Sequence, residues 1–167
     1  MKRIYLGFFL MALPSLNAQS STCVCCEENY SSFDFWIGDW KVTLADGSLA
    51  GHNTITKQQD GCVLIENWTS AKSGYTGTST NYFNSSSQQW EQLWIDNQGQ
   101  ILKLKGNRVG HQMILSSDPY TGDDGEDYSN RITWTDNSDG TVRQLWELLK
   151  SGQVGKVLFD GLYQPKK

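Results

Sequence analysis

"QQWEQLWIDN", residues 88–97, alternates its side chains with a period of two. That period belongs to an extended strand, where successive side chains point to opposite faces. Trp90, Gln92 and Trp94 therefore share one face, and Glu91, Leu93 and Ile95 share the other. An antiparallel sheet with one face in water gives a clean apolar-in, polar-out pattern. Here neither face is cleanly polar, as expected where one face lines a barrel interior holding large rings and a few polar groups. The mixture recurs in "VLIENWTS" (63–70), where Leu64, Glu66 and Trp68 oppose Val63, Ile65 and Asn67. It recurs again in "TVRQLWELL" (141–149), where Val142, Gln144, Trp146 and Leu148 oppose Arg143, Leu145 and Glu147. Alternation settles which residues share a face and leaves open which face is inside.

Outward from this stretch, the chain beyond residue 35 reads as strands and turns. Candidate strands lie near 37–44, 51–58, 62–70, 75–83, 88–96, 100–106, 111–117, 129–136, 141–149 and 156–163. Turn signals such as "ADGS", "QQDG", "KSG", "DNQG" and "DNSDG" separate them. No apolar 3.6-residue period is sustained past residue 35, so one short helical turn around 30–36 is the single helix expected. Hairpin-only connections favour closure, which removes the exposed sheet edges. A Greek-key sandwich needs longer crossovers, and the loop at 118–128 alone is long enough for one. The expected fold is all-β: a single antiparallel up-and-down barrel of about ten strands, with a short N-terminal helical turn closing one end.

The chain has 167 residues, a one-domain length. Its first eighteen read as a signal peptide: basic "MKR", apolar "IYLGFFLMALPSL", then "NAQ" with Ala18 at a cleavage position. The expected layout is a signal peptide at 1–18, a Cys-containing tail at 19–32 and a barrel at 33–165. Export, to the periplasm or beyond, follows; lipid anchoring at Cys23 is the lesser alternative, because "SSTC" lacks an apolar residue before the Cys. Removing Lys2 and Arg3 from fourteen basic residues leaves twelve against eighteen acidic ones, a net charge near −6. That excludes nucleic acid and anionic membrane surfaces as expected partners. No later segment reads as a transmembrane helix. "DDGED" (123–127) lacks EF-hand spacing and reads as a solvated loop.

Cysteines stand at 23, 25, 26 and 62. In an oxidising compartment they are expected to form disulfides, with Cys25 or Cys26 bridged to Cys62. The two His, His52 and His111, lie far from this cluster, so no metal site is expected. Both sit next to Gly near strand starts at the predicted rim, and no haem or other cofactor is expected there.

"FDFWIGDWKV" (33–42), "GHNTI", "GCVLIENW", "WEQLWIDNQGQ", "ITWTDNSDGTVRQLWE" and "FDGLYQP" occur in that order. Together they resemble a bacterial family of exported proteins of unknown function. That family opens on F-D-F-W-[LI]-G-[ED]-W and is lipocalin-like, within the calycin group of small barrels. The resemblance spans residues 25–165 and implies a barrel with a central cavity, without an assigned activity. The chain departs from it at "LLKSGQVGKVLFDG", where family members carry a "DGGKTW"-like hairpin. "GDW" (38–40) resembles the G-x-W that begins the first strand of such barrels, whose Trp closes one end and stacks on a late-strand Arg. The resemblance thus implies barrel closure by Trp36, Gly38 and Trp40, with Arg143 as the stacking partner. Phe33, Phe35 and Trp36 would cap the same end.

A different set is expected to face a ligand. Glu66, Trp68, Tyr82, Trp90, Gln92, Trp94, Trp134, Gln144 and Trp146 come from strands placed around the barrel. Facing inward, they would build an aromatic pocket with a few polar groups, the usual composition of a small-molecule site. Small barrels can also fill with side chains and hold nothing. Glu66, between Leu64 and Trp68, is costly to bury unless paired or hydrogen-bonded, with Gln92 or Arg143 as partners. No catalytic set stands out, and no G-x-S-x-G elbow is present. The expected function is binding of a small, partly apolar ligand. The alternatives are an enzyme using Glu66 as acid or base, and a carbohydrate or surface module using Trp rings on the outside.

Overall fold

The computed structural model describes residues 23–72 and 74–166, so residues 1–18, expected from the sequence to be a signal peptide, lie outside the described residues. Its strands are β1 (Gly38–Leu44), β2 (Leu49–Gln58), β3 (Val63–Ser70), β4 (Thr76–Asn84), β5 (Gln89–Asp96) and β6 (Ile101–Val109). They continue with β7 (Gln112–Ser116), β8 (Tyr120–Thr121), β9 (Asp127–Asp136), β10 (Val142–Lys150) and β11 (Gln153–Pro165). All pairings are antiparallel. Ten strands follow one another around the ring, and β11 returns to β1 with Trp40 opposite Pro165 and Leu44 opposite Gly161. The closed ten-strand barrel anticipated from the alternation is the fold observed.

Two departures concern the long connection and the last hairpin. Within 118–128 the short β8 pairs Tyr120 with Tyr128 and Thr121 with Asp127, so this loop is a small side hairpin rather than a crossover. Its turn is tied down by Asp124, which accepts from the Tyr128 hydroxyl at 2.8 Å and from Lys150 Nζ at 2.9 Å. The β10–β11 hairpin is longer than its sequence signals suggest. Two register shifts let β11 run from residue 153, over stretches where the alternation is broken.

The chain before β1 forms the plug. A 3-10 turn (Val24–Cys26), a one-turn helix α1 (Glu28–Ser31) and a second 3-10 turn (Asp34–Trp36) cross the end of the barrel where β1 begins. Two disulfides hold this segment: Cys23–Cys26 within it, and Cys25–Cys62 to the start of β3. Asp34 adds a bidentate bond from Lys57 Nζ of β2, at 2.6 and 2.8 Å. Phe33 and Trp36 are fully buried and stack at 5.0 Å. Phe33 meets Trp90 and Trp134 edge-on at 5.5 and 5.2 Å. Around them lie Val42, Ile55, Leu64, Leu104, Met113, Leu115 and Val142. Deleting one such ring costs about 3–5 kcal/mol, so this layer carries much of the stability.

The plug is not locked by the expected arginine. Gly38 opens β1, and the buried Trp40 indole donates to the Trp36 carbonyl at 2.9 Å and meets Tyr163 edge-on. Arg143 lies on the outer face of β10 and grips Asp160 with two bonds, at 2.8 and 2.7 Å. The cation that closes the end is Arg108 of β6, 4.9 Å over the Phe35 ring and bonded to the carbonyls of Ser32 and Gly110. No helix among the described residues is long and apolar enough to cross a membrane.

Candidate functional site

The plug fills the lower half of the barrel, and the upper half is open. A cavity of about 780 Å³ rises from the middle of the barrel to the opposite end. Its mouth is ringed by the β1–β2 turn, Lys72, Tyr75, Val157 and Leu158. Its wall is aromatic and aliphatic: Trp68, Trp94, Trp146, Phe159, Leu102 and Ile132. Its floor is polar: Glu66, Gln92, Gln144 and Tyr163, with Trp134 at the plug side.

The wall stays open because two indoles lean over glycines of the neighbouring strands. A Cβ at Gly77 of β4 would stand 2.1 Å from the Trp94 ring, and one at Gly51 of β2 would stand 2.8 Å from the Trp68 ring. Each tryptophan thus leans across a neighbouring strand into space that only glycine vacates. Trp146 is fixed differently, its Nε1 donating to Asn130 Oδ1 at 2.8 Å.

The floor is a hydrogen-bonded chain that links several strands. Asn53 of β2 donates to Glu66 Oε1 at 2.7 Å, and Ser79 of β4 donates to Glu66 Oε2 at 2.6 Å. Asn81 Nδ2 donates to Ser79 Oγ, and Gln92 Nε2 donates to Asn81 Oδ1 at 2.8 Å. On the other side Asn53 Nδ2 lies 3.3 Å from the Tyr163 hydroxyl, which donates to Gln144 Oε1. Every group bonded to the Glu66 carboxyl is neutral. Burial pushes that carboxyl up to about 7, against the lowering effect of the Ser79 and Asn53 bonds. Burial, with the Glu66 charge behind it, also holds the Tyr163 phenol well above its ordinary value. The expected partners of Glu66 are therefore replaced. Gln92 reaches it only through Asn81 and Ser79, and Arg143 is outside, so Glu66 forms no ion pair among the described residues.

Of the nine residues expected to face a ligand, Glu66, Trp68, Gln92, Trp94, Trp134, Gln144 and Trp146 line the cavity. Trp90 shares their inward face but belongs to the plug, its Nε1 donating to Ser32 Oγ at 2.8 Å. Tyr82 points the other way and donates to Glu91 on the outer face at 2.7 Å. On β4 the inward positions are Gly77, Ser79 and Asn81, a small and polar set facing Trp94 and Glu66. Sequence reasoning passes over Asn53, Ser79, Asn81, Phe159 and Tyr163. Their signal is the phase of Glu66 carried across each pairing. All seven Trp lie inside, in the plug or around the cavity, so no indole platform exists on the outer surface. His52 and His111 are both exposed and away from the cavity.

No protein-family model matches the sequence, and no curated protein sequence matches it.

Proposed function

We propose that this protein is an exported binding barrel that holds one small, partly apolar molecule in the cup above its plug. The observation that carries this reading is the half-filled interior: about 780 Å³ walled by Trp68, Trp94, Trp146 and Phe159 over a polar floor. That volume falls in the range of small-molecule sites, as does the pairing of apolar walls with a few fixed polar groups. The lipocalin-like sequence pattern and the two disulfides, which persist in oxidising compartments, support the same reading and the export.

The test uses N-phenyl-1-naphthylamine, a neutral dye that fluoresces in apolar surroundings. Binding to the purified protein should raise its emission saturably, with one site per chain. Gly77→Ala, which forces Trp94 off the wall, should weaken that binding at least tenfold while leaving the strand content by circular dichroism unchanged. Absence of any saturable emission, or full binding in Gly77→Ala, overturns the reading.

A second reading, acid–base catalysis in the same cup, is favoured by one fact. Glu66 is held at about 7 and faces the cavity, which suits a group that both gives and takes protons near neutrality. It predicts that Glu66→Gln binds a turned-over compound but no longer converts it.

A further inference from the structure

Among the described residues the floor of the cup carries no positive charge, and that defines a ligand. Glu66 lies at the bottom of the cavity, 4% exposed, with both oxygens held by the neutral donors Asn53 and Ser79. The groups packed around it from the other strands are Gln92 of β5, Gln144 of β10 and Tyr163 of β11, none of them a base. Tyr75 near the mouth is the second phenol within electrostatic reach. Among the charged described residues lining the cavity, Asp46, Asp160 and Glu66 are acids, and Lys72 at the mouth is the one base. Asp160 is already neutralised from outside by Arg143. A carboxylate buried without a counter-charge is costly, and a cation that completes such a network removes that cost.

The wall favours a cation as well. Trp68 and Trp94 lean over Gly51 and Gly77 of the neighbouring strands and line the cavity with their indole rings. Trp146 is held beside them by Asn130. Indole rings attract cations over their faces, most strongly where water is excluded. A molecule entering from the mouth thus meets aromatic rings along its length and a carboxyl without a counter-charge at its end.

We propose that the cup selects organic cations: a primary or secondary ammonium group on an apolar body, with the ammonium seated on Glu66 and the body between Trp68, Trp94 and Trp146. This deepens the binding reading above and rests on it. Neutral Glu66 must lose its proton to pair with the ammonium, so the site couples binding to proton release. Affinity then rises as pH passes upward through the Glu66 pKa of about 7, and stays high until the amine itself deprotonates.

The experiment is isothermal titration calorimetry on the intact protein with three probes of one shape. They are 2-(1-naphthyl)ethylamine, 2-(1-naphthyl)ethanol and 1-naphthylacetate. At pH 8 the amine should bind at least tenfold more tightly than the alcohol, with the acetate weakest. From pH 6 to pH 8 the amine's affinity should rise about tenfold, and the alcohol's should stay level. Glu66→Gln should bring the amine within threefold of the alcohol. The wild-type pH series needs no variant and stands if that variant misfolds. The proposal is overturned if the alcohol or the acetate matches the amine, if the amine's affinity is flat with pH, or if its advantage survives in Glu66→Gln. It is also overturned if the amine fails to bind while N-phenyl-1-naphthylamine does, an outcome that spares the cup. Silence from all four compounds removes the cup reading itself.

Discussion

One carboxyl, Glu66, contributes to the pH response of this barrel in a direction opposite to that of Asp96 and Asp160. Asp96 and Asp160 are held below their ordinary values, by the Gln100 backbone amide and by Arg143 respectively, so they favour the folded state once ionised. Glu66 is held above its ordinary value, at about 7. The folded state therefore keeps a proton that the unfolded chain releases near 4.5, and the contribution of Glu66 to stability falls as pH rises from 4.5 to 7. The penalty above pH 7 is about 3 kcal/mol, since every pH unit between those two values costs about 1.4 kcal/mol. Glu66→Gln should therefore be more stable than the wild type by about this amount at pH 8, with the difference vanishing near pH 4.5. Urea unfolding at the two pH values measures it, and an equal difference at both would show that Glu66 does not titrate in the fold. At this scale the sequence is legible wherever a residue's face is argued from its own strand. Gln144 and Arg143 are neighbours, so they cannot both point inward, and the alternation alone opposes them. The stacking role given to Arg143 comes from the family pattern, and the structure gives it to Arg108 instead. Tyr82 offers a ring of the right kind, but its strand turns Ser79 and Asn81 inward.

Among the elements, the N-terminal plug depends most on covalent help. A segment with a single turn of α-helix cannot hold itself in place, since isolated short helices are marginal in water. The Cys25–Cys62 bond closes 37 residues and restrains the unfolded chain by about 4 kcal/mol, whereas Cys23–Cys26 closes three and contributes about half as much. Replacing Cys25 and Cys62 by Ser should lower the unfolding free energy by about 3–4 kcal/mol. Replacing Cys23 and Cys26 should lower it by at most about 2 kcal/mol. Chemical denaturation of both variants tests the ordering, and its reversal would mean that the plug is held by packing alone. Ten strands and nearly all their turns can be read from composition, because each has its own period and its own Gly or Asn stop. The pairing of Cys25 rather than Cys26 cannot. It depends on which sulfur faces the β2–β3 corner, and there Cys25 is buried while Cys26 is exposed. The division of the interior into a filled and an open half is equally hidden. It follows from where Phe33 and Trp36 insert and from glycines on strands adjacent to Trp68 and Trp94, relations that appear only once strands are paired.

As a whole molecule the barrel is completed by its last strand. β11 pairs with β10 along its length and with β1 through residues 161–165, so closure joins the two ends of the barrel sequence. Such non-local pairing makes folding slow and leaves open edges until it is finished. A chain ending at residue 158 keeps the β10 hairpin but loses the seam, baring the edge of β1. It should aggregate rather than yield a folded monomer, which size-exclusion chromatography beside the full chain would report. A monodisperse truncated species with native near-ultraviolet dichroism would mean the seam is dispensable. The seam has a further consequence. Trp40 faces Pro165 across it, and the Lys166 amide donates to the Asp39 carbonyl, so the C-terminal tail emerges beside the cysteine-stapled segment. Both ends of the described chain leave from the sealed base, a full strand length from the opening. Any tether, tag or fused domain attached at either end would stand beneath the vessel like a stem beneath a goblet, leaving the brim clear.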